Sequence, residues 1–122
     1  MPPMRRTFRP AARIRRRAEF LQAYELGRKH HARFMTVFVR PTGTGPARLG
    51  VSATRKFGRA TVRNRAKRRA RELFRHHTPM PGVDLVLIPR RGFDSVLYAD
   101  LVSDYLAALR RLRVTVAEGA SA

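Results

Sequence analysis

The chain has 122 residues with 27 Lys and Arg against 8 Asp and Glu, a formal net charge of +19. That length suits one domain able to close a core without staples, and the absence of cysteine excludes disulfides, thiolate metal sites and thiol nucleophiles. No apolar run approaches the roughly 20 residues that cross a bilayer, and the basic amino terminus lacks the apolar stretch of a signal peptide, so a soluble cytoplasmic protein is expected.

An apolar fraction of 43% is too high for a wholly disordered chain. Of the 27 cations, 24 are Arg and only Lys29, Lys56 and Lys67 are Lys. Arg presents a flat fork of donors matched to phosphate oxygens and stacks on bases. A surplus this large opposes folding by self-repulsion and favours a polyanionic partner. Nucleic acid is the expected partner rather than a membrane surface, because no segment forms a basic helix with a broad face of large apolar residues.

In chain order, residues 1–12 read as a basic flexible tail. Ala18 to Leu26, with Phe20, Leu21 and Tyr24, suits a short helix stopped by Gly27. Phe34 to Arg40 is rich in β-branched and aromatic residues and predicts a strand. Its alternation sets Phe34, Thr36 and Phe38 on one side and Met35, Val37 and Val39 on the other. One set can pack under helices while the other lines a groove, although Phe20 and Phe34 are equally suited to a core. The turn cluster Pro41–Pro46 and a second apolar run, Leu49 to Ala53, predict an antiparallel hairpin.

Gly58 breaks that pattern, and Thr61 is placed to cap a helix from Val62 to about His76. Asp84 to Ile88 is the most apolar run and predicts a central strand. Arg90-Arg91-Gly92 predicts a turn. A last helix is expected from near Val96 to Arg113, with Leu97, Leu101, Tyr105, Leu109 and Leu112 on one face. Residues 13–113 thus read as a single α+β RNA-binding domain, and 114–122 as a frayed tail.

The middle helix is the most informative segment. At about 100° per residue, Val62, Ala66, Ala70, Leu73 and Phe74 fall within roughly 120° of arc. Asn64, Arg65, Arg68, Arg69, Arg71 and Arg75 occupy the other side, with Lys67 at its border and Arg63 overlapping the apolar edge. Like charges three or four positions apart repel by a few tenths of a kcal/mol, and Glu72 is the only acid among them. A phosphate-binding face accounts for this better than a solvated one. Arg55, Lys56 and Arg59 extend the strip into the preceding loop.

In order and spacing, Arg48-Leu-Gly-Val-Ser-Ala-Thr-Arg-Lys56, Gly58 and Val62-Arg-Asn-Arg-Ala-Lys-Arg-Arg69 resemble the protein component of bacterial ribonuclease P. Arg13, Glu19-Phe20, Tyr24 and Gly27 upstream, and the Asp84–Arg90 strand followed by a helix, extend the resemblance over roughly residues 13 to 112. It implies a small α/β sandwich with one mixed sheet of about four strands, about three helices and a left-handed β-α-β crossover, a fold type shared with a domain of a small-subunit ribosomal protein. It also implies that a catalytic RNA with its own magnesium ions removes the 5′ leader of precursor tRNA, while the protein binds that RNA and the single-stranded leader, most simply as one RNA with one protein. Arg63, Asn64, Arg65, Lys67 and Arg68 match the RNA-facing motif. Phe20, Tyr24 and Phe38 match aromatic positions of the leader cleft, with Lys56 nearby.

The residues themselves offer no nuclease site. Hydrolysis of a phosphodiester by protein groups needs clustered carboxylates or paired histidines, and the eight acids are scattered. Asp100 and Asp104 share a helix face near an amino terminus, where the dipole favours acids. The vicinal pairs His30-His31 and His76-His77 diverge too far to chelate one ion and read as solvated. No catalytic residue and no protein-bound metal or other cofactor is therefore expected. A small structural RNA-binding protein of ribosomal type is the alternative. A helix-turn-helix DNA-binding regulator fits poorly with strands on both sides of the basic helix.

Overall fold

A computed structural model describes residues 12–117 of the chain. Its elements run α1 (Arg17–Leu26), β1 (Arg28–His31), β2 (Met35–Pro41), β3 (Arg48–Val51), α2 (Ala60–His76), β4 (Val83–Pro89) and α3 (Tyr98–Arg111). The four strands form one mixed sheet in the order β1-β2-β4-β3. β4, the most apolar run, lies between β2 and β3, antiparallel to the first and parallel to the second. The hairpin expected between β2 and β3 is therefore absent. The loop joins strands that never pair, because β4 makes both of their ladders. A parallel neighbour needs a crossover, and α2 supplies it between β3 and β4. β1, a short polar edge strand paired with β2, was not expected, because its four polar residues carry no apolar alternation.

Alternation along the strands sends two residue sets to two faces. Met35, Val37, Val39, Leu49, Leu85 and Leu87 enter a core shared with Ala66, Ala70, Leu73 and Phe74 of α2 and with Leu101, Tyr105, Ala108 and Leu109 of α3. On the other face Ile14, Ala23 and Val86 form a smaller cluster, flanked by half-buried Phe20, Tyr24, Phe38 and Ile88. The molecule is thus layered, with α1 on one face of the sheet and α2 with α3 on the other.

The helix ends differ from expectation in instructive ways. Thr61 does not cap α2. Arg59 occupies that position without a side-chain bond, and Thr61 lies exposed inside the first turn. Leu97, expected on the buried face of α3, precedes that helix and is 73% exposed. Gly27 does end α1, and for lack of space rather than for a left-handed turn. A Cβ there would lie 2.4 Å from the Ala23 carbonyl oxygen and 2.8 Å from that of Val39.

Residues 114–117, expected as part of a tail, are paired with the fold. The Val114 N–H bonds to Leu109 O, and Val116 bridges to Pro79. The Ala117 N–H reaches Thr78 O at 2.7 Å, so backbone pairing holds the chain through Ala117. The tails expected over residues 1–11 and 118–122 lie outside the described residues, and no described helix is long and apolar enough to cross a membrane.

Candidate RNA interface

α2 docks through Ala66 and Ala70, both fully buried, so its backbone lies close to the sheet and its long cations project outward. Arg55, Lys56, Arg59, Asn64, Arg65 and Arg68 are exposed, as a phosphate-binding strip requires. Arg63, Lys67, Arg69 and Arg71 are only half-exposed, and two of these have intramolecular partners. The Arg69 guanidinium donates to Phe93 O at 2.9 Å and to Val96 O at 2.7 Å, pinning the loop before α3. Arg63 donates to Gly58 O at 2.9 Å across the turn that starts the helix. Helical periodicity places these residues around the axis and says nothing of which carbonyls a distant loop brings within reach.

Arg75 and His76 both engage Glu72, the single acid of the helix. His77 ends α2, its ring 6.3 Å from that of Tyr105, and His31 hydrogen-bonds Thr36 at 2.9 Å. His76 and His77 are half-buried against the fold, whereas His31 stays exposed. The Tyr105 hydroxyl donates to His77 O at 2.9 Å and is fully buried, and that burial pushes its pKa well up. Arg71 is shifted the other way. Partial burial and the nearby charge of Arg13 lower its pKa, the signature of cations crowded together.

A second surface adjoins the first. Between α1 and the end of β3 lies a cleft of about 440 Å³ lined by Arg15, Arg17, Phe20, Leu21, Tyr24, Ser52 and Lys67, among others. Phe20 can lie over β3 because residue 50 is glycine. A Cβ at Gly50 would sit 2.8 Å from the ring. Phe38 stands beside this cleft on the same sheet face, meeting Tyr24 edge-on with ring centroids 4.9 Å apart. The Lys29 ammonium lies 5.8 Å from the centre of the Phe38 ring. Phe20, Tyr24 and Phe38 therefore come together, all half-buried, while Phe34 packs against the main core.

Lys67 is the hinge point of this geometry. Its side chain lines both the aromatic cleft and a hollow of about 500 Å³ along α2 bounded by Asn64, Arg68, Arg71, Glu72 and Arg75. The cleft-lining Arg15, Arg17, Leu21 and Ser52, and Lys29 over Phe38, were missed in the sequence. Only Lys29, a lysine in an arginine-dominated chain, carried any signal there.

An ionic clasp fixes α1 over the sheet. Arg48 donates from Nε to Asp84 Oδ1 at 2.9 Å and from Nη2 to Asp84 Oδ2 at 2.8 Å. The same Nη2 reaches Glu19 Oε2 at 3.0 Å, and Arg40 lies 3.8 Å from Asp84. Asp84 is 2% exposed, and its bonds raise the Arg48 pKa further. Asp104 serves the other face, accepting the N–H groups of Arg33 and Phe34 at 3.0 and 2.8 Å. Among the described residues, no group of three or more His, Asp or Glu could hold a metal ion.

This fold recurs in known proteins. The family model described as Ribonuclease P matches residues 8–113. The ribonuclease P protein component of Desulfovibrio desulfuricans is 40% identical over 116 residues, covering 89% of each chain. That of Gluconacetobacter diazotrophicus is 41% identical over 112 residues, covering 88% of this chain and 97% of that protein. Among solved structures, the ribonuclease P protein of Thermotoga maritima superposes with a TM-score of 0.73 at 35% identity, covering 81% of this chain and 96% of that one. The Staphylococcus aureus protein gives 0.73 at 27% identity, covering 85% and 97%. With its basic helix, its mixed sheet and a family match over nearly its whole described length, the chain belongs to the ribonuclease P protein family.

Proposed function

We propose that the protein is the protein subunit of ribonuclease P, binding the catalytic RNA and the single-stranded 5′ leader of precursor tRNA and promoting endonucleolytic removal of that leader. The exposed cations of α2 and its preceding loop (Arg55, Lys56, Arg59, Arg65 and Arg68), with Asn64, contact phosphates of the catalytic RNA. Lys67 and Arg71 join them from the half-exposed border. Phe20, Tyr24 and Phe38 receive unpaired bases of the leader. Stacking on aromatics contributes about 1–3 kcal/mol per base with little sequence preference, which suits a subunit that must accept many leaders. The chemistry belongs to the RNA and its magnesium ions, and the assembly is one RNA with one protein in the cytoplasm.

The observation that carries this reading is the position of Lys67, where the cationic groove of α2 opens into the aromatic cleft. Catalytic RNA on the helix then stands beside leader in the cleft. A ribosomal-type structural protein shares the charge but has no need of a half-buried aromatic cleft joined to the basic helix. The test adds the purified chain to a matching catalytic RNA at low magnesium and follows leader removal. Faster cleavage, with tighter binding of precursor than of mature tRNA, is expected. Unchanged cleavage and affinity overturn the reading.

A further inference from the structure

A second group of cations lies on the far edge of the sheet from β3, at the free side of β1 and the carboxyl end of α3. Arg28 of β1 donates to Leu112 O at 2.6 Å, which brings the strand edge to the helix end. Arg110 and Arg111 lie in the last turn of α3 and Arg113 follows it, all exposed, as are Arg28 and Lys29. Among the described residues, none of these five takes part in an ion pair.

Two structural needs account for some of this charge. Cations favour a helix carboxyl end, and charged side chains protect an exposed edge strand from pairing with another chain. Neither explains Arg113. It sits at φ 59, the only described residue other than glycine at positive φ, in the position after α3 that glycine ordinarily takes. The cap bonds of Arg113 N–H to Arg110 O and Val114 N–H to Leu109 O set that backbone, and a long exposed cation stands where glycine would fit without strain.

The path from the cleft leads to this patch. Lys67 marks the α2 end of the cleft, and with catalytic RNA on α2, as proposed above, the 3′ end of the leader enters there. Moving away from α2, Tyr24 meets Phe38, Phe38 lies under Lys29, and Lys29 adjoins Arg28 on the edge strand. Resting on the leader-binding reading above, we propose that the 5′-distal nucleotides of a long leader leave the cleft over Lys29, wrap the edge of β1 and lay their phosphates against Arg28, Arg110, Arg111 and Arg113.

The test uses the assembled RNA–protein complex and three substrates: mature tRNA, a precursor whose leader ends within the cleft, and one whose leader is extended at its 5′ end. The parent's preference for the short-leader precursor over mature tRNA checks the cleft separately, and its absence removes this inference along with that reading. With the cleft in order, Arg110→Gln/Arg111→Gln/Arg113→Gly weakens only the extended substrate. Its slope of log affinity against log salt falls by about 0.7 per lost phosphate contact, about 2 in all. Arg113→Gly alone lowers that slope by about 0.7 while its melting temperature stays at or above the parent's, because glycine accepts the positive φ. Equal losses on short and extended leaders, or an unchanged slope with the extended one, overturn the proposal.

Discussion

On one face of the sheet, α2 and α3 press Leu73, Phe74, Leu101, Tyr105 and Leu109 into a continuous core. On the other, Ala23 is the only buried residue of α1, and the aromatic rings around it stay half-exposed. Apolar burial of about 25 cal/mol per Å² holds the first face. The second relies on the Arg48 clasp to Glu19 and Asp84 and on the close approach at Gly27. A surface that must present rings to a ligand cannot also spend them on packing. Directional polar contacts then take over the placing of the helix, and they set the width of the cleft.

Substitutions can break this contrast, and the largest effect belongs to the clasp. Asp84→Ala removes the buried carboxylate that holds half-buried Arg48 and should destabilise by about 3 kcal/mol, read from urea unfolding. Glu19→Gln touches the half-exposed arm and should lose far less stability. Near-equal losses would show that both arms are similarly buried in solution.

Next are the rings. Phe20→Ala should weaken leader-bearing substrate by about 1–3 kcal/mol with mature tRNA unaffected, whereas Leu101→Ala on the opposite face should lower stability by about 2–5 kcal/mol with no preference between substrates. Binding titrations alongside circular dichroism separate the two. Uniform loss with Phe20→Ala would make its ring a core element.

Alkaline pH probes the closed core. Tyr105 has its folded pKa raised above the unfolded value near 10, so its neutral form is favoured by folding. Its contribution is complete below about pH 10 and declines above it, by about 1.4 kcal/mol per pH unit. Melting temperature followed from pH 8 to 11 should fall in that upper range, and Tyr105→Phe should flatten the fall. The smallest effect is on the exposed strip. Arg65→Ala and Arg68→Ala should each reduce the salt slope of catalytic-RNA affinity by about 1, with melting temperature unchanged. Arg69→Ala should instead lower the melting temperature, because its guanidinium holds Phe93 and Val96 carbonyls.

Local pattern by itself determined the three helices, β2, the turns and the central place of β4, because hydrophobic period and breaker residues act over a few positions. It also determined the basic strip on α2, since the spacing of Ala66, Ala70, Leu73 and Phe74 dictates which side remains for the cations. Tertiary structure alone decided that β3 pairs with β4 rather than β2, that the polar residues of β1 form an edge strand, and that the chain stays paired through Ala117. It also decided that Arg69 of α2 is engaged, because a distant loop brings the Phe93 and Val96 carbonyls to its guanidinium. The cleft is of the same kind. Phe20 and Tyr24 of α1, Phe38 of β2 and Lys67 of α2 come from three separate stretches, and only the packing of α1 across the sheet brings them into one surface.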